Sequence, residues 1–211
     1  MNVAQSFDVA IIGGGPAGAA AAIATRSCQL DVCLIDEQPR LGGQIYRQPP
    51  AGFRVDSWLT GKAYARGKLL LARAEQLSGL RHIPSATTWG IFPAKPEGPA
   101  SGGHHVLFQN DAGLGRISAR HVLLSTGCYE MPVPFRGWHL PGVMSAGGIQ
   151  TLMKSQRVAA AANIVLAGSH PLLLIVAEQL LEAGVRIAAV AFMQPFSTVW
   201  RLLRYPLTTL S

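Results

Sequence analysis

Glycines at fixed intervals follow the first apolar run of the chain. Gly13, Gly15 and Gly18 form the pattern G-x-G-x-x-G within "DVAIIGGGPAGAAAAIAT", between a β-branched run and an alanine-rich run. The first glycine permits a tight turn, the second leaves room for a pyrophosphate, and the third lets a helix lie close to the strands. Backbone N–H groups at the start of that helix would meet the phosphates. The pattern therefore indicates a dinucleotide site.

An acidic residue stands where the ribose of such a nucleotide is expected. Asp36 ends a second apolar run about twenty residues after the glycines, and Glu37 follows it. A carboxylate at this place accepts ribose hydroxyls and repels a 2′-phosphate. The alternative is a glycine-rich turn that only packs a helix. The agreement of strand, helix, Pro16 and acid favours nucleotide binding.

A second glycine pair follows in "PRLGGQIYR", where Gly42 and Gly43 precede Gln44. A long dinucleotide with a bulky ring system needs close approach of the backbone at a second place, which favours FAD over NAD. An ordinary surface loop is the alternative for this stretch taken alone.

Strands and helices are predicted in alternation around these motifs. Apolar runs predict strands over Phe7–Ile12 and Leu30–Ile35, and Pro16 is expected at the start of the intervening helix. Helical spacing predicts a surface helix over Gly61–Leu80. Short runs and turn signals over residues 82–124 predict a small antiparallel insertion, returning to a parallel strand at Val122–Ser125.

A blurred copy of the first motif lies in "NIVLAGSHPLLLIVAEQLLEAG". The pattern predicts a helix at Met144–Gln156 and then a strand, a helix and a strand, over Asn163–Ala167, Pro171–Ala183 and Val185–Phe192. Gly168 keeps the first glycine position, whereas His170 and Leu173 occupy the second and third. The imidazole either blocks a phosphate or, when protonated, pairs with it. We expect a retained scaffold whose binding of a second nucleotide, NAD(P) or another adenine nucleotide, is lost or altered.

The composition narrows the choice of partners and compartment. The net charge is +7, but the basic residues are scattered, so no nucleic-acid partner is expected. Three cysteines lack C-x-x-C spacing, which argues against a metal site or a disulfide framework and fits a reducing cytoplasm. The uncharged span Val158–Ala177 contains polar and turn residues, so no transmembrane segment is predicted.

Four stretches carry a family resemblance: "IIGGGPAG", "LIDEQPRLGGQIYRQ", "STGCYEMPVPFRGWHLPGVMSAGGIQTLMKS" and "VLAGSHPLLLIVAEQLL". With them the chain resembles the FAD-dependent pyridine-nucleotide-disulfide-reductase-like superfamily. It is most similar to the large flavin subunits of opine oxidases, hydroxyproline and proline dehydrogenases, and cyanide-forming glycine dehydrogenases. The resemblance implies an α/β, Rossmann-like, three-layer FAD-binding domain at residues 1–140 with a small antiparallel β insertion. Residues 141–211 would begin a second, nested nucleotide-binding domain.

The resemblance also implies a set of cofactor-binding residues. Asp36 or Glu37 would hold the adenosine ribose, Gly43 and Gln44 would lie along the flavin, and Thr126-Gly127 would close over the cofactor. The full predicted set is Gly13, Gly14, Gly15, Pro16, Ala17, Gly18, Asp36, Glu37, Gln38, Gly42, Gly43, Gln44, Thr126 and Gly127.

The expected activity is that of an FAD-dependent oxidoreductase subunit. The resemblance implies oxidation of a small amine, imino acid or opine, a second flavin subunit or homo-oligomer as partner, and electron transfer to a partner or respiratory acceptor. A cytoplasmic location is expected, either free or attached to the inner membrane through partners. The sequence identifies no catalytic residues, and hydride transfer to a flavin depends mainly on positioning.

Two other functions stay open. One is a non-catalytic or truncated nucleotide-binding module, and the other is an NAD(P)H-dependent flavin reductase, which requires a working second motif. The superfamily returns to its first domain after the inserted one, and no such return is visible in this sequence. We therefore expect weak or absent retention of the flavin by this chain alone.

Overall fold

The chain divides into two compact units, Met1–Tyr129 and Glu130–Ser211. The computed structural model describes residues 5–50, 52–53, 62–94, 102–193 and 197. The nucleotide-binding domains predicted at residues 1–140 and 141–211 stay a prediction.

The first unit contains a six-stranded mixed sheet. Its strands are β1 (Gln5–Ile12), β2 (Val32–Ile35), β3 (Leu80–Ile83), β4 (Thr87–Pro93), β5 (His104–Asn110) and β6 (Gly113–Leu124). They lie in the order β3-β2-β1-β6-β5-β4. The first four strands in this order run parallel, and β5 is antiparallel to both β6 and β4. The predicted α/β, Rossmann-like fold is confirmed.

Two helices cover one face of the parallel strands. Helix α1 (Pro16–Ser27) follows β1, and helix α2 (Lys62–Glu75) precedes β3. Alternate strand residues point to opposite faces. Those on the helical face pack against α1 and α2, namely Val9, Ile11, Val32 and Leu34 with Ala19, Ala22, Leu71 and Ala74. The helices therefore form one outer layer and hold the carboxyl ends of β1 and β2 at a common edge.

The antiparallel strands cover the opposite face. The core on that side joins parallel-strand residues to residues of β5 and β6, namely Ala10, Ile12, Cys33 and Ile35 with Val106, Phe108, Ile117 and Ala119. The helices form one layer and the parallel strands the next, and the antiparallel end of the same sheet packs on the opposite face through these residues, which gives the three predicted layers.

Most predicted boundaries agree with the structure to within two residues, and two differ by more. The predicted helix Gly61–Leu80 is too long, because α2 ends at Glu75 and the chain turns at Gly79, where φ is +76°. Leu80–Ile83 then extends the parallel sheet beside β2, so residues 82–83 do not belong to the antiparallel insertion. The predicted return strand is the last part of β6, and this part pairs with β1. The first part of β6 pairs with β5.

The second unit contains the predicted strand–helix–strand arrangement. Its elements are α3 (Ala146–Thr151), a π-helical turn (Leu152–Gln156), β7 (Asn163–Gly168), α4 (Leu172–Glu182) and β8 (Arg186–Phe192). Strands β7 and β8 are parallel, and one face packs on α4 through Ile164, Leu166, Val176 and Leu180. Among the described helices, none has the length and apolar character required to cross a bilayer.

Candidate functional site

The turn after β1 is confined between neighbouring strands. Gly13 has φ +104°, and a Cβ atom on it would lie 2.4 Å from the carbonyl oxygen of Ser125, in the loop after β6. The Gly13 N–H donates to the Ile35 carbonyl at 2.8 Å, and the Ser125 hydroxyl donates to the Gly13 carbonyl at 2.9 Å. Only glycine fits this conformation and this space.

The other two glycines of the motif have different surroundings. A Cβ atom on Gly18 would stand 1.9 Å from the Gly13 carbonyl oxygen, so this glycine lets α1 pack on the turn. Gly15 has an ordinary backbone conformation, and the nearest atom to its Cβ position is the Gly43 Cα at 3.9 Å. No side chain of the described residues caps the N-terminus of α1. The positive end of this helix therefore stands beside open space at Gly15.

The second glycine pair packs directly on the first loop. Gly42 and Gly43 have φ of +128° and +56°, and the Gly42 N–H donates to the Gly14 carbonyl at 2.8 Å. A Cβ atom on Gly43 would lie 2.8 Å from the Gly15 Cα. The positive φ values and the contact with the first glycine loop explain why glycine occupies both positions. The reason expected from the sequence was different, namely close approach of the backbone to a long dinucleotide with a bulky ring system.

The carboxylate of Asp36 is held by backbone N–H groups. Its Oδ2 accepts from the Gly14 N–H, and its Oδ1 accepts from the Gln38 N–H at 2.7 Å. Asp36 is 5% exposed, and this burial raises the pKa of its carboxyl group, although both hydrogen bonds lower it. Asp36 thus fixes the loop after β1 to the loop after β2.

These loops surround a cavity of about 520 Å³, a volume typical of ligand sites. Of the predicted cofactor residues, all except Gly18 and Gly42 line it; those two pack behind the loops. The lining consists of Ile12, Gly13, Gly14, Gly15, Pro16, Ala17, Ile35, Asp36, Glu37, Gln38, Gly43, Gln44, Ile45, Arg47, Ala86, Thr87, Thr88, Ser125, Thr126, Gly127, Cys128 and Tyr129. The described ranges contain no group of three His, Cys, Asp or Glu residues placed to hold a metal ion.

Several residues that line the cavity belong to none of the motifs found in the sequence. Thr87 and Thr88 come from β4, and the Thr88 hydroxyl is buried without a hydrogen-bond partner among the described residues. Such a group is satisfied when a ligand supplies the missing partner. Tyr129 lies two residues after the predicted Thr126-Gly127 pair, and this closeness in the sequence is the signal that could have identified it as a cavity residue. Gln44 joins the two sides of the site, because its Nε2 donates to the Cys128 carbonyl at 2.9 Å.

The corresponding place in the second unit is built differently. The His170 Nδ1 accepts from the Leu172 N–H at 3.1 Å, at the start of α4. The next two N–H groups, of Leu173 and Leu174, donate to the carbonyls of His170 and Pro171 at 3.1 and 3.0 Å. These first-turn donors, which would meet a phosphate in a dinucleotide site, already have partners within the chain.

Known proteins resemble the chain in sequence and in fold. The NAD(P)-binding Rossmann-like domain family matches residues 11–60. An opine oxidase subunit from Agrobacterium tumefaciens is 38% identical over 87% of this chain and 36% of its own length. Hydrogen cyanide synthase subunit HcnB of Pseudomonas aeruginosa is 41% identical over 85% of this chain and 37% of its own length.

A solved structure has the same fold. L-Proline dehydrogenase from P. horikoshii superposes with a TM-score of 0.71 at 24% identity, covering 90% of this chain and 37% of that one. The chain spans little more than a third of the length of these relatives. Sequence homology and fold agree with the resemblance seen in the motifs. Over the aligned residues the chain is therefore related in sequence to this opine oxidase subunit and to hydrogen cyanide synthase subunit HcnB, and it has a Rossmann-like fold that is similar to that of FAD oxidoreductases.

Proposed function

We propose that this chain binds FAD in the cavity of the first unit and forms the flavin-binding part of an oxidoreductase. The observation that carries the proposal is the open space at Gly15, where bare backbone meets the uncapped N-terminus of α1. Backbone N–H groups at such a terminus bind the diphosphate of a dinucleotide. The buried, unpartnered Thr88 hydroxyl further supports a ligand in this cavity.

The residues present fit FAD. Gly13 to Gly15 would receive the diphosphate, the acidic loop after β2 would receive the adenosine ribose, and Gly43 with Gln44 would lie toward the flavin. FAD supplies the hydride acceptor, while the protein binds and orients it. The chain's own contribution is to fix the two glycine loops against each other.

The names of the relatives support an amine, an imino acid or an opine as substrate. Besides the opine oxidase relative, the alpha subunit of a sarcosine oxidase from Corynebacterium is 30% identical over 77% of this chain. Both relatives are named as subunits, which supports a second flavin subunit or a homo-oligomer as partner. Electrons would pass to that partner or to a respiratory acceptor, in the cytoplasm or at the inner membrane surface through partners.

The reductant is proposed to be the amine rather than NAD(P)H. In the second unit the first-turn N–H groups of α4 are occupied by His170 and Pro171, which disfavours binding of a second dinucleotide there. A flavin reductase would need that second site.

Anaerobic flavin spectroscopy tests the proposal. The full chain is titrated with FAD and then mixed separately with L-proline, sarcosine, an opine and NADPH. We expect FAD to bind and the visible absorbance of its oxidised flavin to bleach with one of the amines and not with NADPH, because hydride transfer to the flavin reduces it. Bleaching by NADPH alone would establish the reductase instead. Bound FAD that no substrate reduces would favour the non-catalytic module, and failure to bind FAD at any concentration of the titration would reject the flavin site proposed for this chain.

A further inference from the structure

Residues 125–129, which follow β6, form one side of the cavity, and we call this segment the strap. The cavity has a buried floor, which includes Ile12, Ile35 and Ala86. Residues 126–129 of the strap line the same cavity but are exposed. They therefore lie at its mouth, on the solvent side.

The strap is anchored to the sheet at its first residue. The Ser125 N–H donates to the Ile12 carbonyl at 2.8 Å, and the Ser125 hydroxyl lies 3.0 and 2.9 Å from the carbonyl oxygens of Ile12 and Gly13. Residues 126–129 make no backbone–backbone hydrogen bond with another described residue. Gly127 has φ +69°, and no described atom lies within 4 Å of its Cβ position. A glycine in such open space lets the strap rotate about its anchor.

Two hydrogen bonds hold the other end of the strap to the segment between β2 and α2. The Gln44 Nε2 donates to the Cys128 carbonyl at 2.9 Å, and the Tyr129 hydroxyl donates to the Glu37 Oε1. The hydrogen bond to Glu37 is the largest cause of the raised pKa of Tyr129, so the phenol stays a donor at neutral pH. All four residues are exposed, so both hydrogen bonds cross the cavity at its mouth.

We propose that the strap is a gate, closed by the hydrogen bonds of Gln44 and Tyr129, that sets how fast FAD enters and leaves the cavity. This inference rests on the proposed FAD site and concerns its exchange kinetics. Both hydrogen bonds join protein atoms, so breaking them opens the mouth equally for entry and for release. Such a gate slows association and dissociation by the same factor and leaves the dissociation constant unchanged. A residue that only contacts the ligand changes the dissociation rate constant and the affinity instead.

Stopped-flow measurement of FAD binding to the full chain tests the gate with Tyr129→Phe. This variant keeps the ring and removes one exposed hydroxyl. Loss of one hydrogen bond changes an equilibrium by about two- to tenfold, so both rate constants should rise by about that factor. The dissociation constant, measured by equilibrium titration, should stay within about twofold of the wild-type value. The control is Tyr64→Phe, which removes a phenolic hydroxyl outside the cavity lining and should leave both rate constants unchanged.

Gln44→Ala tests the second hydrogen bond through the association rate constant. Gln44 is also proposed to lie toward the flavin, so the dissociation rate constant of this variant combines two effects. The association rate constant reports the gate alone and should rise by about two- to tenfold. Because both hydrogen bonds must break before the strap opens, the two increases should multiply in the double variant.

The association rate constant of Tyr129→Phe decides the proposal. A value equal to that of the wild type would overturn the gate, even if FAD dissociated faster, because Tyr129 would then be a contact of the ligand. If the wild type bound no FAD, the flavin site would be rejected and the gate with it. That outcome is distinct from FAD that binds both proteins at the same rate.

Discussion

The carbonyl oxygen of Gly13 lies 1.9 Å from the point where a Cβ atom on Gly18 would stand. Helix α1 therefore rests directly on the turn that ends β1. This contact fixes the helix N-terminus relative to the strand, and the cavity opens beside the same terminus at Gly15. Close packing at one glycine thus positions the open backbone at another.

Replacing Gly18 by alanine should destabilise the first unit. The added methyl group meets the backbone of Gly13, which cannot move away without disturbing β1. Overpacking of this kind costs about 3 kcal/mol at the upper end of its usual range. Urea unfolding of Gly18→Ala should show this loss, whereas Gly102→Ala, where no atom of the described residues lies within 4 Å of the Cβ position, should match the wild type. Equal stability of the two variants would show that α1 does not rest on the turn.

The pH dependence of stability should contain a contribution from His82. Burial lowers the pKa of this imidazole, against the opposing effect of Asp36 and Glu75. The unfolded histidine takes up a proton near pH 6.5, whereas the folded one resists it, so the free energy of unfolding should decrease as the pH falls below about 6.5. His82→Gln should remove this part of the slope, measured by urea unfolding between about pH 7.5 and 5.5.

The control for that measurement is His121→Gln, because His121 is exposed on β6. This variant should keep the slope of the wild type. If His82→Gln also kept it, the buried imidazole would not be the group responsible.

The three cysteines should differ in reactivity toward a thiol reagent. Burial raises the pKa of the Cys33 thiol to about 12, whereas Cys28 and Cys128 are exposed. Because the thiolate is the reactive form, two thiols should react in the native protein and the third only after unfolding. Mass spectrometry of the modified peptides identifies which residues react. Rapid modification of Cys33 in the native state would contradict the packing of β2.

Bound FAD should protect one of the two exposed thiols. Cys128 lines the cavity, and Cys28 lies outside it, at the end of α1. Saturating FAD should slow alkylation of Cys128 by about tenfold or more, as expected when access requires dissociation of the ligand. Cys28 serves as the internal control, and equal rates at Cys128 with and without FAD would place the cofactor elsewhere.

Patterns in the sequence predicted the elements that depend on residues close to one another along the chain. Gly13, Gly15 and Gly18 act within one strand, turn and helix, so their spacing alone indicated the arrangement. Strand β3 was assigned partly to a helix because its four residues gain their strand conformation from pairing with β2, far away in the sequence. Pairing of that kind leaves no local pattern.

The same distinction applies to the cavity. Thr88 and Tyr129 lie there because β4 and β6 belong to one sheet, and no spacing rule connects them with the glycine motif. The role of Asp36 also depended on geometry. Its position at the end of a strand suggested a ribose ligand, and the structure adds the two backbone N–H groups that its oxygens accept.

The most direct test of the account is the FAD affinity of Gly15→Ala. The backbone conformation of Gly15 is ordinary, and within the described part of the chain the added Cβ atom meets nothing closer than 3.9 Å. The loss of stability should therefore stay within about 1 kcal/mol, as for a helix N-cap replaced by alanine. The methyl group would occupy the space of the diphosphate, and the dissociation constant for FAD should rise by tenfold or more, about 1.4 kcal/mol or above. Gly102→Ala should leave it unchanged. An FAD affinity in Gly15→Ala equal to that of the wild type would contradict the proposal that the bare backbone after β1 receives the cofactor.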